Sequence, residues 1–396
     1  MVCRTEVVDS AIYNYCPDDL PAVADRMQSI MHGRFIDELT GLGMERELSV
    51  TSDVDHVLNR AASSGMCGLV ANPARRFPGL AANTVEINMS VTANRYVPQT
   101  FYGGLGPFNT GIGSPADYPD FFAPINIGTV GLHRAASIIK GRCVQNNGVS
   151  RVPLDNVTVA LLGVWHQFPA ANVDPLAVVE TPNIISLEQS LYRQRTAGVD
   201  QVRQRDLNPR LGEEKVLRLP VAAGARQLRV SNRVNLAVGN LLAIDFNHAD
   251  LLEYIEVVAI DGATTAEQPA VVSLAYPLKK EHREGITVVR VDPQPPATNN
   301  TLTRDAIQGD QSVFLNALTD ITDSTIELFG AGTPEYHQAR LYNVLSDAEG
   351  YFSLPPISRV GMMQLRASRA DLLNTADMIF SPNYELLENR IDLIFG

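Results

Sequence analysis

Six short apolar segments between residues 216 and 292, VLRLPV (216–221), RQLRVS (226–231), LLAIDF (241–246), EYIEVVAI (253–260), AVVSLAY (270–276) and ITVVRVD (286–292), set the fold class of this chain. Each is rich in Val, Ile and Leu and too short for a helix of ordinary length. Turn-forming or charged stretches separate them: AAGA, the NLAVGN stretch, DGATTAEQPA and KKEHREG. That rhythm predicts β-strands, and six strands in so few residues predict a compact all-β barrel over 215–292. The segment DPQPPATNN (292–300) follows as a linker, because its prolines donate no ladder hydrogen bond.

The same period of two recurs upstream. In VEINMSVTANRYVP, Val85, Ile87, Met89 and Val91 share one face, while Glu86, Asn88 and Ser90 take the other. INIGTVGLHR, IIKGRCV and VPLDNVTVALLGVW repeat the pattern, as do SVFLNAL, TIELFG, ARLYNVLS, GYFSLPPIS, MMQLRAS and RIDLIFG near the end. The expected fold is therefore mainly β and multidomain: β-sandwiches plus the small barrel, with two short helical pieces. One helix is predicted over Asp18–Met31, where Leu20, Val23, Met27, Ile30 and Met31 recur at helical spacing behind a capping Asp. The other is predicted over Ser186–Leu207, from the spacing of Leu187, Leu191 and Tyr192.

These readings divide the chain into a docking segment (1–32), a first sandwich (33–101), the first part of a second sandwich (125–212), the barrel (215–292) and the closing part of the second sandwich with a C-terminal strand (298–396). The Gly- and Pro-dense run Tyr102–Pro124 marks the first boundary as an irregular loop. The barrel reads as an insertion into a discontinuous host, since insertions are tolerated where chain ends lie close together.

Composition narrows the function. The 396 residues carry 32 Lys+Arg against 44 Asp+Glu, a net charge of −12, with 45% hydrophobic and 19% charged residues. That describes a globular chain without the clustered cations a nucleic-acid surface needs. No apolar run reaches the roughly 20 residues of a membrane span, and no signal-peptide core opens the chain, so a cytosolic protein is expected. Cys3, Cys16, Cys67 and Cys143 are too scattered for a zinc site or disulfide framework and read as ordinary thiols.

The search for catalytic chemistry finds no site. Seven histidines form no HExxH or His-x-His pattern, so no metal is assigned. GGLGPFNTGIGSP lacks a phosphate-loop lysine, and Ser114 lacks the strand-to-helix setting of a nucleophile elbow. His282, between Glu281 and Glu284, allows acid/base work, yet a charged hairpin tip explains it more simply. Asp245, Asp250, Asp347 and Glu349 lack calcium-loop spacing and read as turn residues. Trp165 beside Phe168 is either a sugar-stacking ring or a ring held in a core or interface. Asn88, Asn156 and Asn299 head Asn-x-Ser/Thr triplets that matter only in a secreted protein. No catalytic residue, cofactor or metal ligand is predicted.

VPLDNVTV and SDAEGYFSLPPIS resemble the carboxypeptidase-regulatory-like, transthyretin-like β-sandwich, in which an Asp-x-x-Gly-Tyr-Phe turn enters a strand. The resemblance implies that Asp347 and Gly350 form that turn and that Phe352 and Leu354 point inward. FIDELTG with SVTANRYVP resembles a more divergent second copy. Together with the linker and the closing SDAEGYFSLPPISRV, the chain resembles accessory structural proteins of phage-tail-like contractile injection systems, near the cap or baseplate.

The resemblance implies a non-enzymatic assembly role in a cytosolic particle, with sheath, tube or neighbouring copies as partners and a homo-oligomeric ring as the arrangement. No nucleic acid and no membrane insertion are expected. Interface candidates are Leu20, Val23 and Met27, Trp165, and the arginines Arg193, Arg195, Arg203 and Arg205, with Arg210 nearby. The alternatives are an adhesin or carbohydrate-binding module presenting Trp165 and Tyr102, and an enzyme whose site only the fold assembles.

Overall fold

The computed structural model describes residues 4–8, 11–15, 27–44, 48–53, 58–61, 65–71, 84–106, 124–261 and 265–396. The chain divides into two compact units, Met1–Ala135 with His166–Phe168, and Ala136–Trp165 with Pro169–Gly396. Both are built from strands, and the fold is mainly β. Among the described residues no helix is long and apolar enough to cross a membrane.

The first unit holds β1 (Arg4–Val8), β2 (Ala11–Tyr15), β3 (Met27–Asp37), β4 (Ser49–Thr51), β5 (Leu58–Ala61), β6 (Met66–Ala71), β7 (Val85–Thr92), β8 (Gln99–Leu105) and β9 (Ile125–Leu132). One sheet runs β1-β2-β3-β6-β5 with β9 parallel to β3, and a second runs β4-β7-β8. Alternation buries Ile87, Met89 and Val91 of β7 in a common core with Ile30, Met31, Phe35, Cys67, Leu69 and Leu132. At the end of β3, Asp37 accepts from the Leu39 and Thr40 amides, from Tyr96 Oη and from Arg134 Nε at 2.7 Å.

Two expectations are corrected here. The segment 27–31 is strand, with residues 18–26 outside the described set. A register shift between Ser29 and Met31 bulges β3 and turns the consecutive Ile30 and Met31 both inward, which in sequence imitates helical spacing. The first boundary also moves: β8 extends through Tyr102, and β9, assigned above to the second sandwich, pairs with β3. Residues 107–123 of the intervening run lie outside the described residues.

The second unit begins with β10 (Ile138–Asn146), β11 (Arg151–Pro153) and β12 (Thr158–Trp165). Then follow β13 (Ile184–Leu187), β14 (Gln201–Gln204), β15 (Leu207–Pro209), β16 (Lys215–Val216), β17 (Gln227–Val230), β18 (Leu241–Ile244), β19 (Glu253–Asp261), β20 (Ala270–Leu274), β21 (Thr287–Pro293), β22 (Asn300–Thr301), β23 (Ser312–Phe314), β24 (Thr325–Phe329) and β25 (Glu335–Arg340). The chain closes with β26 (Asn343–Leu345), β27 (Tyr351–Ser353), β28 (Met362–Ser368), β29 (Ala376–Phe380) and β30 (Glu388–Phe395).

A sandwich forms from the two ends of this unit. One sheet runs β11-β10-β27 with β30 parallel to β10, the other β26-β12-β28-β29. Their inner faces meet in a core that includes Ile139, Val159, Leu365, Ile391, Leu393 and Phe395. Burying each such side chain contributes roughly 1.5–3 kcal/mol. The middle segment, β13 to β25, makes an open 13-stranded sheet with its own cores.

The barrel is therefore corrected. The six strands of 215–292 are present in the order β16-β21-β18-β19-β20-β17, but no continuous ladder closes them, since the two ends of that order meet only in the isolated Leu217–Val230 bridge. Nor is the set a separate insertion: β21 also pairs with β15 and β19 with β25. The central helix is also absent. Ser186–Leu207 is the end of β13, an irregular crossing and β14, and Leu187 and Leu191 are buried by tertiary packing rather than on a helix stripe. Residues 298–341 join the large sheet, not the closing sandwich.

Candidate functional site

Of the interface candidates, Leu20 and Val23 lie outside the described residues, and Met27 opens β3. Trp165 is 2% exposed at the end of β12, and its indole N–H donates to Pro175 O at 2.7 Å. Neither a sugar nor a partner can stack on so enclosed a ring, so Trp165 is corrected to a core residue. Tyr102 is exposed on β8.

The arginines are corrected in the same sense, since most are consumed inside the second unit. Arg203 sits opposite Glu327 in the β14–β24 ladder and meets its carboxylate at 2.7 Å, with Arg205 on the same oxygen at 3.3 Å. Arg193 is half-buried against Gly332, where a β-carbon would fall 2.1 Å from its guanidinium. Arg210 pairs with Asp292 at the surface.

Arg195 is fully buried, 2.8 Å from Glu335 Oε1 and 3.3 Å from Asp200 Oδ1. It anchors the densest cluster of ionisable groups described. Glu335 Oε2 also accepts from the Tyr192 amide at 3.0 Å and lies 3.0 Å from His337 Nε2. Tyr192 donates its hydroxyl to Glu253 Oε2 at 2.9 Å and stacks on Tyr276, with Lys279 Nζ 5.0 Å from its ring centre. Glu253 accepts the Lys279 and Lys280 amides and faces His282 Nε2 at 3.0 Å, while His282 Nδ1 faces Asp245 at 3.4 Å. His282 is buried, which overturns its reading as an exposed hairpin tip; Glu281 and Glu284 beside it are exposed.

Carboxylate, imidazole and phenol in contact are the parts of a proton relay. Here Glu253, His282, Glu335, His337 and Arg195 are all buried, so the arrangement locks strands and loops and presents nothing to a substrate. Among the described residues no group of three His, Cys, Asp or Glu could hold a metal ion. Cys67 and Cys143 are buried thiols pushed up to about 12 by desolvation. Sequence carried one signal for this cluster: Glu253 shares the inward phase of β19 with Ile255 and Val257, a place for a charge only if it has a buried partner.

The cluster sets a pH response. Burial, the largest influence, raises the Glu253 and Glu335 carboxyls, but the hydrogen bonds and charges around them overcome it and hold both below the ordinary 4.5. For Glu253 these come from His282, the Lys279 and Lys280 amides and Tyr192; for Glu335, from His337, Arg195 and the Tyr192 amide. Asp37 of the first unit is likewise held low by Tyr96 and Arg134 against its burial. A carboxyl depressed on folding contributes stability that is complete above its unfolded value and is lost as pH falls through its folded value. Thermal denaturation scans should therefore show a steady Tm from neutrality to about pH 5 and a falling one below; a flat Tm down to about pH 3 would contradict these assignments.

The Asp347 to Gly350 turn carries the chain from one sheet of the sandwich to the other. Asp347 Oδ1 accepts from the Glu349 and Tyr351 amides at 3.0 and 2.8 Å, Gly350 has φ +80°, and Phe352 and Leu354 enter the core. A β-carbon on Gly350 would meet Cys143 O at 2.7 Å in a backbone conformation costly for other residues. Gly350→Ala should lower the urea-unfolding free energy of the second unit by about 2 kcal/mol; an unchanged midpoint would show that the turn relaxes freely.

The surface feature that remains is the flank of the sandwich. Among the described residues β30 pairs with β10 alone and β29 with β28 alone, leaving an open strand edge on each sheet. Along β30, Asn389, Ile391, Leu393 and Phe395 point inward while Arg390, Asp392 and Ile394 face out.

No family model matches the chain, and no curated protein matches it. Among solved structures, the major pilin subunit of Bacillus cereus aligns over 92% of this chain and 98% of its own, at 10% identity and a TM-score of 0.17. That likeness is too low to carry an argument about fold or function.

Proposed function

We propose that this chain is a non-enzymatic structural protein of a phage-tail-like contractile particle, placed near its cap or baseplate, where it contacts sheath, tube or neighbouring copies. The observation that supports an assembly role best is the open flank of the sandwich: β30 offers eight residues of backbone on its free side, a template that a partner strand completes. The densest ionisable cluster, meanwhile, is spent on holding the second unit together. The contractile particle itself comes from the sequence resemblance. Copies joined head to tail would close into a ring.

Mixing the purified chain with the sheath and tube subunits of a contractile particle from the same source, followed by size-exclusion chromatography with light scattering, tests the proposal. A complex larger than the free chain is expected. A chain that stays free of them and instead binds arrayed glycans would replace this reading with the adhesin one, although with Trp165 enclosed that rival loses one of its two aromatics.

A further inference from the structure

The outer face of β27, β10 and β30 forms the floor of a half-open groove of about 830 Å³. Two cross-strand rows line it: Ser353, Lys140 and Arg390, then Tyr351, Arg142 and Asp392. Placing Lys140 directly beside Arg390 is unfavourable in a sheet, and Glu388, which pairs with Lys140 and lies 3.8 Å from Arg390, offsets it only in part.

The lining holds three cations (Lys140, Arg142, Arg390) and three carboxylates (Asp347, Glu388, Asp392), yet the two sets are not equally engaged. Asp347 is committed to its turn amides, Glu388 to Lys140, and Asp392 faces Arg151 at 3.6 Å. Arg142 has no carboxylate partner among the described residues. Its Nε donates to Glu349 O at 2.9 Å and its guanidinium lies over the Tyr351 ring at 4.9 Å, which fixes the side chain and leaves both terminal nitrogens open. Arg390 reaches into solvent with its side chain 84% exposed.

We infer that this groove binds a carboxylate-rich peptide segment of a neighbouring subunit, with Arg142 as the fixed fork and Arg390 as the mobile second cation. A planar carboxylate matches the open end of a guanidinium, and a pre-positioned Arg surrenders little freedom on binding. A peptide fits better than a sugar, because Arg142 already covers one face of the Tyr351 ring where a pyranose would stack. That the occupant belongs to a neighbouring subunit rests on the assembly reading; the carboxylate chemistry does not.

Fluorescence anisotropy at low ionic strength tests the inference on the full chain, using a fluorescein-labelled decapeptide of alternating Glu and Val and a Lys–Val counterpart. The Glu–Val peptide should bind saturably and the Lys–Val peptide far more weakly. Arg142→Gln and Arg390→Gln should each weaken binding at least about tenfold. Arg366→Gln, which breaks a surface pair with Asp377 on the other sheet, should leave it unchanged. Equal binding of both peptides, an unchanged Kd in Arg142→Gln, or competition by oligogalacturonate as strong as by peptide would each overturn it. If the peptide fails while the chain still joins sheath or tube subunits, the groove is wrong and the assembly role stands. If the peptide binds but no subunit does, the reverse holds.

Discussion

Glu335→Ala is expected to destabilise the second unit by about 3–5 kcal/mol, the range found when one partner of a buried ion pair is removed. The magnitude follows from what the carboxylate serves. Its two oxygens meet Arg195, His337 and the Tyr192 amide, and the carboxylate is buried. Arg195 would keep its charge at zero exposure, with Asp200 at 3.3 Å as its remaining partner. Replacing Arg195 and Glu335 together with apolar residues of similar volume should be far milder than either single change, because no orphaned charge is then buried. Urea unfolding of the two single variants and the double variant measures this. Near-additive losses would show that the pair does not act as a unit.

Trp165→Ala comes next, at roughly 3–5 kcal/mol for emptying a closed aromatic site, with the Pro175 carbonyl also losing one of its two donors and keeping the Val178 amide. Circular dichroism during denaturant unfolding reads the loss, since the variant lacks the chain's single tryptophan. Trp165→Phe should recover most of the stability. A Trp165→Ala variant as stable as the parent would mean that the ring is not in the core.

The strands were largely readable in advance because one inward and one outward side chain alternate along them. VEINMSVT and RIDLIFG announce their buried faces directly. Where the backbone leaves that period, the pattern misleads. The bulge in β3 turns Ile30 and Met31 the same way, and the crossing after β13 drops Leu187 and Leu191 into a core at intervals that a helix would also give. The separateness of the barrel was misread for a different cause: strand identity is local, but pairing is not, and nothing near ITVVRVD indicates that it will also pair with Leu207–Pro209.

The ionic cluster escaped for the same reason. Arg195 looked like a solvent-facing charge because its partner, Glu335, lies far along the chain and is brought to it by β25. Asp347 and Gly350, by contrast, define their turn within a few residues, so their part in it could be read locally.

Hydrogen exchange along β30 tests the assembly account most directly. In the free chain the backbone amides on its unpaired side should exchange quickly while those bonded to β10 are protected. In the assembled particle the fast set should become protected, as a partner completes the sheet or covers its flank. Identical β30 exchange in the free and assembled states would contradict the account.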